Sequence, residues 1–258
     1  MTLSRRRALA TGVSALAAIT VLPWKARAMG HSDSFATANG EVKVYPISHA
    51  SFVMETPGMV IHVDPVGEAA AYADLPSPDL ILITHEHGDH YKPETLAALV
   101  TDATKLITNP AVYDKLPEDL KARATAIGNG ERTEAGAISI EAIPAYNLTE
   151  DRLQYHPQGR DNGYVLGIDG LTVYVAGDTE DIPEMRALSG IDVAFLPMNL
   201  PYTMTVDQAA SAVAEFKPAH VYPYHYGDSD VDRFAQLVSE QAEGVEVVMG
   251  EWYPGETA

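Results

Sequence analysis

With 258 residues, a formal net charge of −19 and no cysteine, the chain excludes several classes at the outset. A surface so acidic repels nucleic acid and anionic membrane, whose phosphates are gripped by Lys and Arg. Without thiols there are no disulfides and no thiolate ligands, so any metal must be held by His, Asp or Glu.

The chain opens on what reads as an export signal. Residues 1–28 hold Arg5, Arg6, Arg7, Lys25 and Arg27 and no acidic residue, with an apolar run from 10 to 22 and an A-x-A pattern at Ala26-Arg27-Ala28. This order resembles a twin-arginine signal peptide cleaved after Ala28, which makes the expected location periplasmic. The alternative, a retained anchor, needs about 20 strongly apolar residues, and this run is shorter and rich in Ala, Thr and Ser. Cleavage removes five positive charges and leaves a mature chain of −24. Residues 29–40 are small and polar and read as a linker; 41–258 reads as one domain.

Within that domain, strands are expected at 42–47, 52–55 and 59–63, split by turns that include Pro57-Gly58. The run 80–84 is apolar at consecutive positions, the mark of a strand buried on both faces. A helix at 93–100, a strand at 105–108, helical pieces at 111–116 and 119–123, and a strand at 138–143 follow. Asp169-Gly170 is a strong hairpin turn between strands 164–168 and 171–176. The remainder alternates: helix 182–188, strand 193–197, helix 206–216, strand 220–224, helix 231–241, strand 245–248. Such an order suits two sheets packed face to face with helices outside, a four-layer αββα sandwich of the α/β class.

The chemistry concentrates on Thr84-His85-Glu86-His87-Gly88-Asp89-His90, a loop at a strand end. In extended chain, residues two apart point the same way, so His85 and His87 can grip one metal. Asp89 and His90 can turn toward a second. Asp178, in Gly177-Asp178-Thr179, and His225, in Tyr224-His225-Tyr226-Gly227, also sit at strand ends. Taken singly, Asp178 reads first as a turn residue or as the cap of the following helix. The third protein ligand of the first metal has two candidates, His156 and Asn147, and imidazole is the better ligand. His49 and Tyr202 either line the site or are packed loop residues; His62 and His220 read as structural.

Read in order, H-x-H-x-D-H as His85, His87, Asp89 and His90, then Gly177-Asp178-Thr179, then Tyr224-His225-Tyr226-Gly227 resembles the metallo-β-lactamase superfamily. Ser48-His49-Ala50-Ser51 and Val63-Asp64-Pro65 extend the likeness, which spans residues 42–248. It is most similar to the metal-dependent hydrolase branch around the ascorbate-phosphate lactonases and the N-acyl-phosphatidylethanolamine phospholipase D group. The resemblance implies two divalent metals, zinc with manganese or iron as alternatives. His85 and His87 would hold one, Asp89, His90 and His225 the other, and Asp178 would bridge them. His156 joins the first by ligand type alone, because many members carry a histidine where this chain has Asn147. A hydroxide between the cations would be the nucleophile, with Asp89 orienting it or passing a proton to the leaving group.

The expected substrate is an ester, lactone or phosphodiester in a small molecule or lipid head group, with no nucleic-acid partner and no membrane span after signal cleavage. A β-lactam is an alternative, as is mononuclear-iron oxidoreductase chemistry on the same fold. Flavin-linked di-iron members carry Glu where this chain has His87, which argues against that branch. A metal-stabilised binding protein without turnover is a third class.

The signal generates a test. Replacing Arg5 and Arg6 with Lys preserves charge but removes the arginine pair that the folded-protein route reads. The doubly substituted protein is expected to stay in the cytoplasm, as cell fractionation would show. Normal levels outside the cytoplasm would rule out folded export.

Overall fold

Residues 32–254 are described in a computed structural model, and the expected signal and its cleavage point lie outside them. Two seven-stranded sheets account for the strands. The first holds β1 (Asp33–Ala36), β2 (Glu41–Ser48), β3 (Ser51–Thr56), β4 (Met59–Val63), β5 (Leu80–Ile83), β6 (Lys105–Thr108) and β7 (Ala124–Ala126), side by side in chain order. The second holds β8 (Arg132–Ala135), β9 (Ile138–Ala145), β10 (Asp161–Ile168), β11 (Leu171–Val175), β12 (Val193–Pro197), β13 (His220–Tyr224) and β14 (Glu246–Val247), again in order. Each sheet begins as an antiparallel meander of four strands and continues with three strands added in parallel. The two halves of the chain therefore repeat one topology.

The helices α1 (Pro93–Leu99), α2 (Pro110–Lys115) and α3 (Glu118–Lys121) follow strands of the first sheet; α4 (Pro183–Arg186), α5 (Val206–Phe216) and α6 (Val231–Gln241) follow strands of the second. Alternation along the unbroken apolar strands explains the layers. In β5, Leu80 and Leu82 join the core between the sheets, while Ile81 and Ile83 pack with Leu96, Val112 and Leu120 of the helices. In β12, Val193 and Phe195 face inward, and Ala194 and Leu196 pack with α5 and α6 through Val213 and Phe234. A strand apolar on both faces is needed wherever a sheet is covered on both sides. The result is the expected αββα sandwich. No helix among the described residues is long and apolar enough to cross a membrane.

The structure corrects the reading at several places. Residues 33–36, within the expected linker 29–40, instead form edge strand β1, with Phe35 facing Val42 of β2. Phe35 is buried and sits edge-on to His220 and Tyr222. One buried aromatic in a small, polar stretch leaves no periodic signal. The strands β7 and β8 were not expected either; they are three and four residues long and bury only Ala135 fully. Helix α4 spans only four residues, because Pro183 sets its start and it turns off after Arg186.

The centre of the core is an aromatic stack. Phe195 is fully buried, with ring centroids 4.2 Å from Phe52 and 4.8 Å from Tyr222, and Trp252 stands edge-on beside them. Phe195→Ala would leave a cavity across both sheets. The expected loss is about 3–5 kcal/mol of stability, measurable by urea unfolding of the variant beside the parent.

Candidate metal centre

The parallel strands end along one edge of the sandwich, and the site residues follow those ends: Asp64 after β4, His85 after β5, Asp178 after β11 and His225 after β13. Ligand sites collect at the carboxyl ends of strands in such sheets because the loops there diverge. Local backbone geometry then aims the side chains. Asp64 and His225 occupy the left-handed region, with φ of 43° and 46°. Gly177, at φ 65°, turns the chain directly before Asp178, where an added Cβ would meet Asn162 O at 2.7 Å. Only glycine fits that close approach.

Six imidazoles and two carboxylates converge. Asp178 lies at their centre: Oδ2 is 3.2 Å from His225 Nε2, 3.5 Å from His156 Nε2 and 3.8 Å from His85 Nε2, and Oδ1 is 3.3 Å from His90 Nε2. Donor atoms of His85, His87 and His156 lie within 4.8 Å of one another, as do those of His49, Asp89, His90 and His225. The trio of His85, His90 and Asp178 joins the two groups. All seven residues expected at the site are thus brought together.

His156 and Asn147 take different parts. The His156 ring stands 4.9 Å from that of His85 and 4.7 Å from that of His87. Asn147 spends its amide on backbone instead: Oδ1 accepts from His156 N at 3.0 Å, and Nδ2 donates to Tyr202 O at 2.8 Å. It positions the loop that carries His156.

An outer ring of hydrogen bonds fixes the tautomers. A carboxylate only accepts, so His90 Nδ1 donates to Asp64 Oδ2 at 2.8 Å and His156 Nδ1 to Asp161 Oδ2 at 3.0 Å. The Thr84 hydroxyl donates to Asp64 Oδ2 at 2.6 Å, leaving its oxygen to accept from His85 Nδ1 at 3.0 Å. Each of these rings then presents Nε2 to the centre, the arrangement that orients a metal-binding histidine. Burial, reinforced by His90, holds His85 well below its ordinary pKa, in the neutral form that ligates. Burial also opposes charge on Asp178, but His225 and His90 outweigh it and hold that carboxyl well below the usual range.

The donor atoms themselves test whether a metal fits. His85, His90, His156 and His225 Nε2 and Asp178 Oδ1 are buried without a hydrogen-bond partner. Buried polar atoms are nearly always satisfied, and five orphans aimed at one point call for a shared partner. Imidazole and carboxylate donors at this spacing suit a divalent cation of the zinc, manganese or iron kind.

The sequence reading missed several supports. Asp64 and Asp161 back the ligands, and Arg160 in turn grips Asp161 at 2.7 Å. Glu180 is buried and accepts from Leu148 N and Thr149 N, pinning the His156 loop to the turn that carries Asp178. Only Asp64 had a signal, in Val63-Asp64-Pro65 after a strand. His49 does reach the site, 3.3 Å from Asp89 Oδ2, with its other nitrogen 2.9 Å from Tyr253 Oη. Tyr202 lines the same cavity. Glu86 pairs with Lys115 at 2.8 Å. His62 is structural, stacked on Tyr72, and burial lowers its pKa to about 4.

A family model described as the β-lactamase superfamily domain matches residues 43–225, most of the chain and every ligand candidate. The chain belongs to the metallo-β-lactamase superfamily. Among superfamily relatives, a UPF0173 metal-dependent hydrolase of Pyrococcus furiosus is 36% identical over 224 residues, covering 81% of this chain and 98% of its own. A crystal structure of a candidate metal-dependent hydrolase from Parabacteroides distasonis is 45% identical with a TM-score of 0.80, covering 86% of this chain and 98% of that one. The metallo hydrolase Igni18 of Ignicoccus hospitalis is 28% identical with a TM-score of 0.68, covering 84% and 97%.

The outer ring can be tested apart from the ligands. Asp64→Asn keeps the size of the side chain but weakens its hold on His90 and Thr84. Metal affinity is expected to fall about 10–100-fold, read by competition with a chelator. Unchanged affinity would deny Asp64 its positioning part.

Proposed function

We propose that the chain is a binuclear metal-dependent hydrolase acting on an ester, lactone or phosphodiester. The observation that carries this reading is the set of five orphaned buried donor atoms converging around Asp178. His85, His87 and His156 would hold one cation, Asp89, His90 and His225 the other, and Asp178 would lie between them. Bound there, the cations would supply a water activated at neutral pH and a Lewis acid for a carbonyl or phosphoryl oxygen. The relatives named as metal-dependent hydrolases support the reaction class.

The chain's own residues supply the rest. Asp89 is half exposed at the cavity, with its carboxylate 3.4 Å from His225 and 3.3 Å from His49. Those two imidazoles hold it well below the usual carboxylate range against the opposing effect of burial. An ionised, partly exposed carboxylate can orient a water or take its proton and hand it to a leaving group. His49 steadies it from the outer side through its bond to Tyr253. The cavity beside these groups measures about 370 Å³, the size for a small-molecule substrate. The arginine pair at residues 5 and 6 supports release of this enzyme into the periplasm.

Elemental analysis of metal-saturated protein is expected to give about two ions per chain. His156→Ala should lower that count and remove most activity against a panel of generic esters and phosphodiesters. Asn147→Ala should do less, since it only loosens the loop. One ion or none at saturation, or the reverse order of the two variants, would overturn the binuclear assignment.

A further inference from the structure

Four large hydrophobic side chains are exposed among the described residues: Leu148, Leu153, Leu200 and Tyr202. They are not scattered. Two lie on the loop that carries His156, and two on the loop that follows β12. Asn147 Nδ2 donates to Tyr202 O, and an Arg152 Nη donates to Thr203 O at 3.0 Å, so the two loops are clamped together. The Tyr155 and Tyr202 rings meet edge to face across the seam at 4.9 Å. Glu180 fixes the first loop from below through two backbone N–H groups. Large exposed apolar side chains brought onto two clamped loops beside a cavity mark a contact surface.

The contact is decided by where the tyrosines stand. Tyr155 and Tyr202 line the 370 Å³ cavity together with His87, Asp89, His156 and Asp178. Among the described residues, no Lys or Arg lines that cavity. The nearest cations on the loops are already engaged, Arg152 with Glu180 at 2.7 Å and Arg160 with Asp161 at 2.7 Å. A substrate with a second anionic group would meet no cation in the lining itself, whereas an aromatic or alkyl group would meet the two tyrosine rings.

We propose that Tyr155 and Tyr202, extended by the neighbouring leucines, form a rim that selects uncharged esters or lactones bearing an aromatic or alkyl group next to the scissile bond. This rests on the hydrolase reading above and narrows its substrate class. The rim acts on specificity: apolar contact with the two rings lowers the free energy of the bound group without touching the reacting atoms.

The test uses the zinc-loaded full enzyme and methyl acetate, methyl hexanoate and methyl phenylacetate, which share one leaving group. Binding of the unreactive amides N-methylacetamide and N-methylphenylacetamide is followed in parallel by NMR. The parent is expected to prefer the larger apolar acyl groups by about tenfold or more in kcat/KM, and to bind the phenyl amide the more tightly. In Tyr202→Ala and Tyr155→Ala the ratio between phenylacetate and acetate should collapse toward one at full metal content. Tyr202→Phe should restore it. Tyr202 is 43% exposed, so its removal leaves the core intact.

Turnover of all three esters without preference, together with equal binding of the two amides, would overturn the rim and leave the hydrolase reading standing. Amide preference that depends on Tyr202, with no ester turned over, would overturn the proposed ester selectivity and leave the hydrolase reading to stand or fall on phosphodiesters. Tyr202-dependent sedimentation with neutral phosphatidylcholine vesicles, without any acyl preference, would also overturn the proposal and assign the rim to a lipid surface.

Discussion

The carboxylate of Asp178 is the point on which the site depends. Its two oxygens lie within 3.2–3.8 Å of four imidazoles drawn from three separate parts of the chain. A buried carboxylate is costly unless charge is placed beside it. A cation shared among those donors meets that need, and the need explains why loops from both sheets close on one position. Gly177 sets the turn that puts Asp178 there, and its positive φ and close approach to Asn162 leave no room for another residue.

Around that point, the molecule is built so that ligands are held by groups that do not ligate. Asp64 ties Thr84 and His90, Asp161 ties His156, and Arg160 ties Asp161. Such ties set tautomer and ring angle in advance, so that little reordering accompanies metal binding. Glu180 extends the same logic to substrate. It sits two residues beyond Asp178 and anchors the loop bearing both His156 and Tyr155, so the candidate ligand and one wall of the cavity share one support.

The duplicated topology gives the reason these loops meet. Each half ends in parallel strands, and in each half the loops leave at the same edge of its sheet. Packing through Phe52, Phe195, Tyr222 and Trp252 sets the two edges together. The core thereby decides the separation of ligands from the first half, His85 to His90, and from the second, His156 to His225.

The sequence by itself determined the class of fold and marked most of the residues that converge at the candidate site. Unbroken apolar runs such as 80–83 and 193–197 carry enough local signal to mark doubly covered strands. H-x-H-x-D-H places four donors within six residues, so proximity there follows from the chain alone. Asn147 and His156 could not be separated that way, because their parts depend on a loop folded back through Asn147 Oδ1 and Glu180. The supporting residues Asp161 and Glu180 lay beyond sequence for the same reason: each contacts partners that only the loop's folding brings close. Edge strand β1 was invisible because one buried Phe35 makes no periodicity. What tertiary structure decided, then, were the contacts between residues distant in the chain or set by a folded loop, whose distances no local pattern encodes.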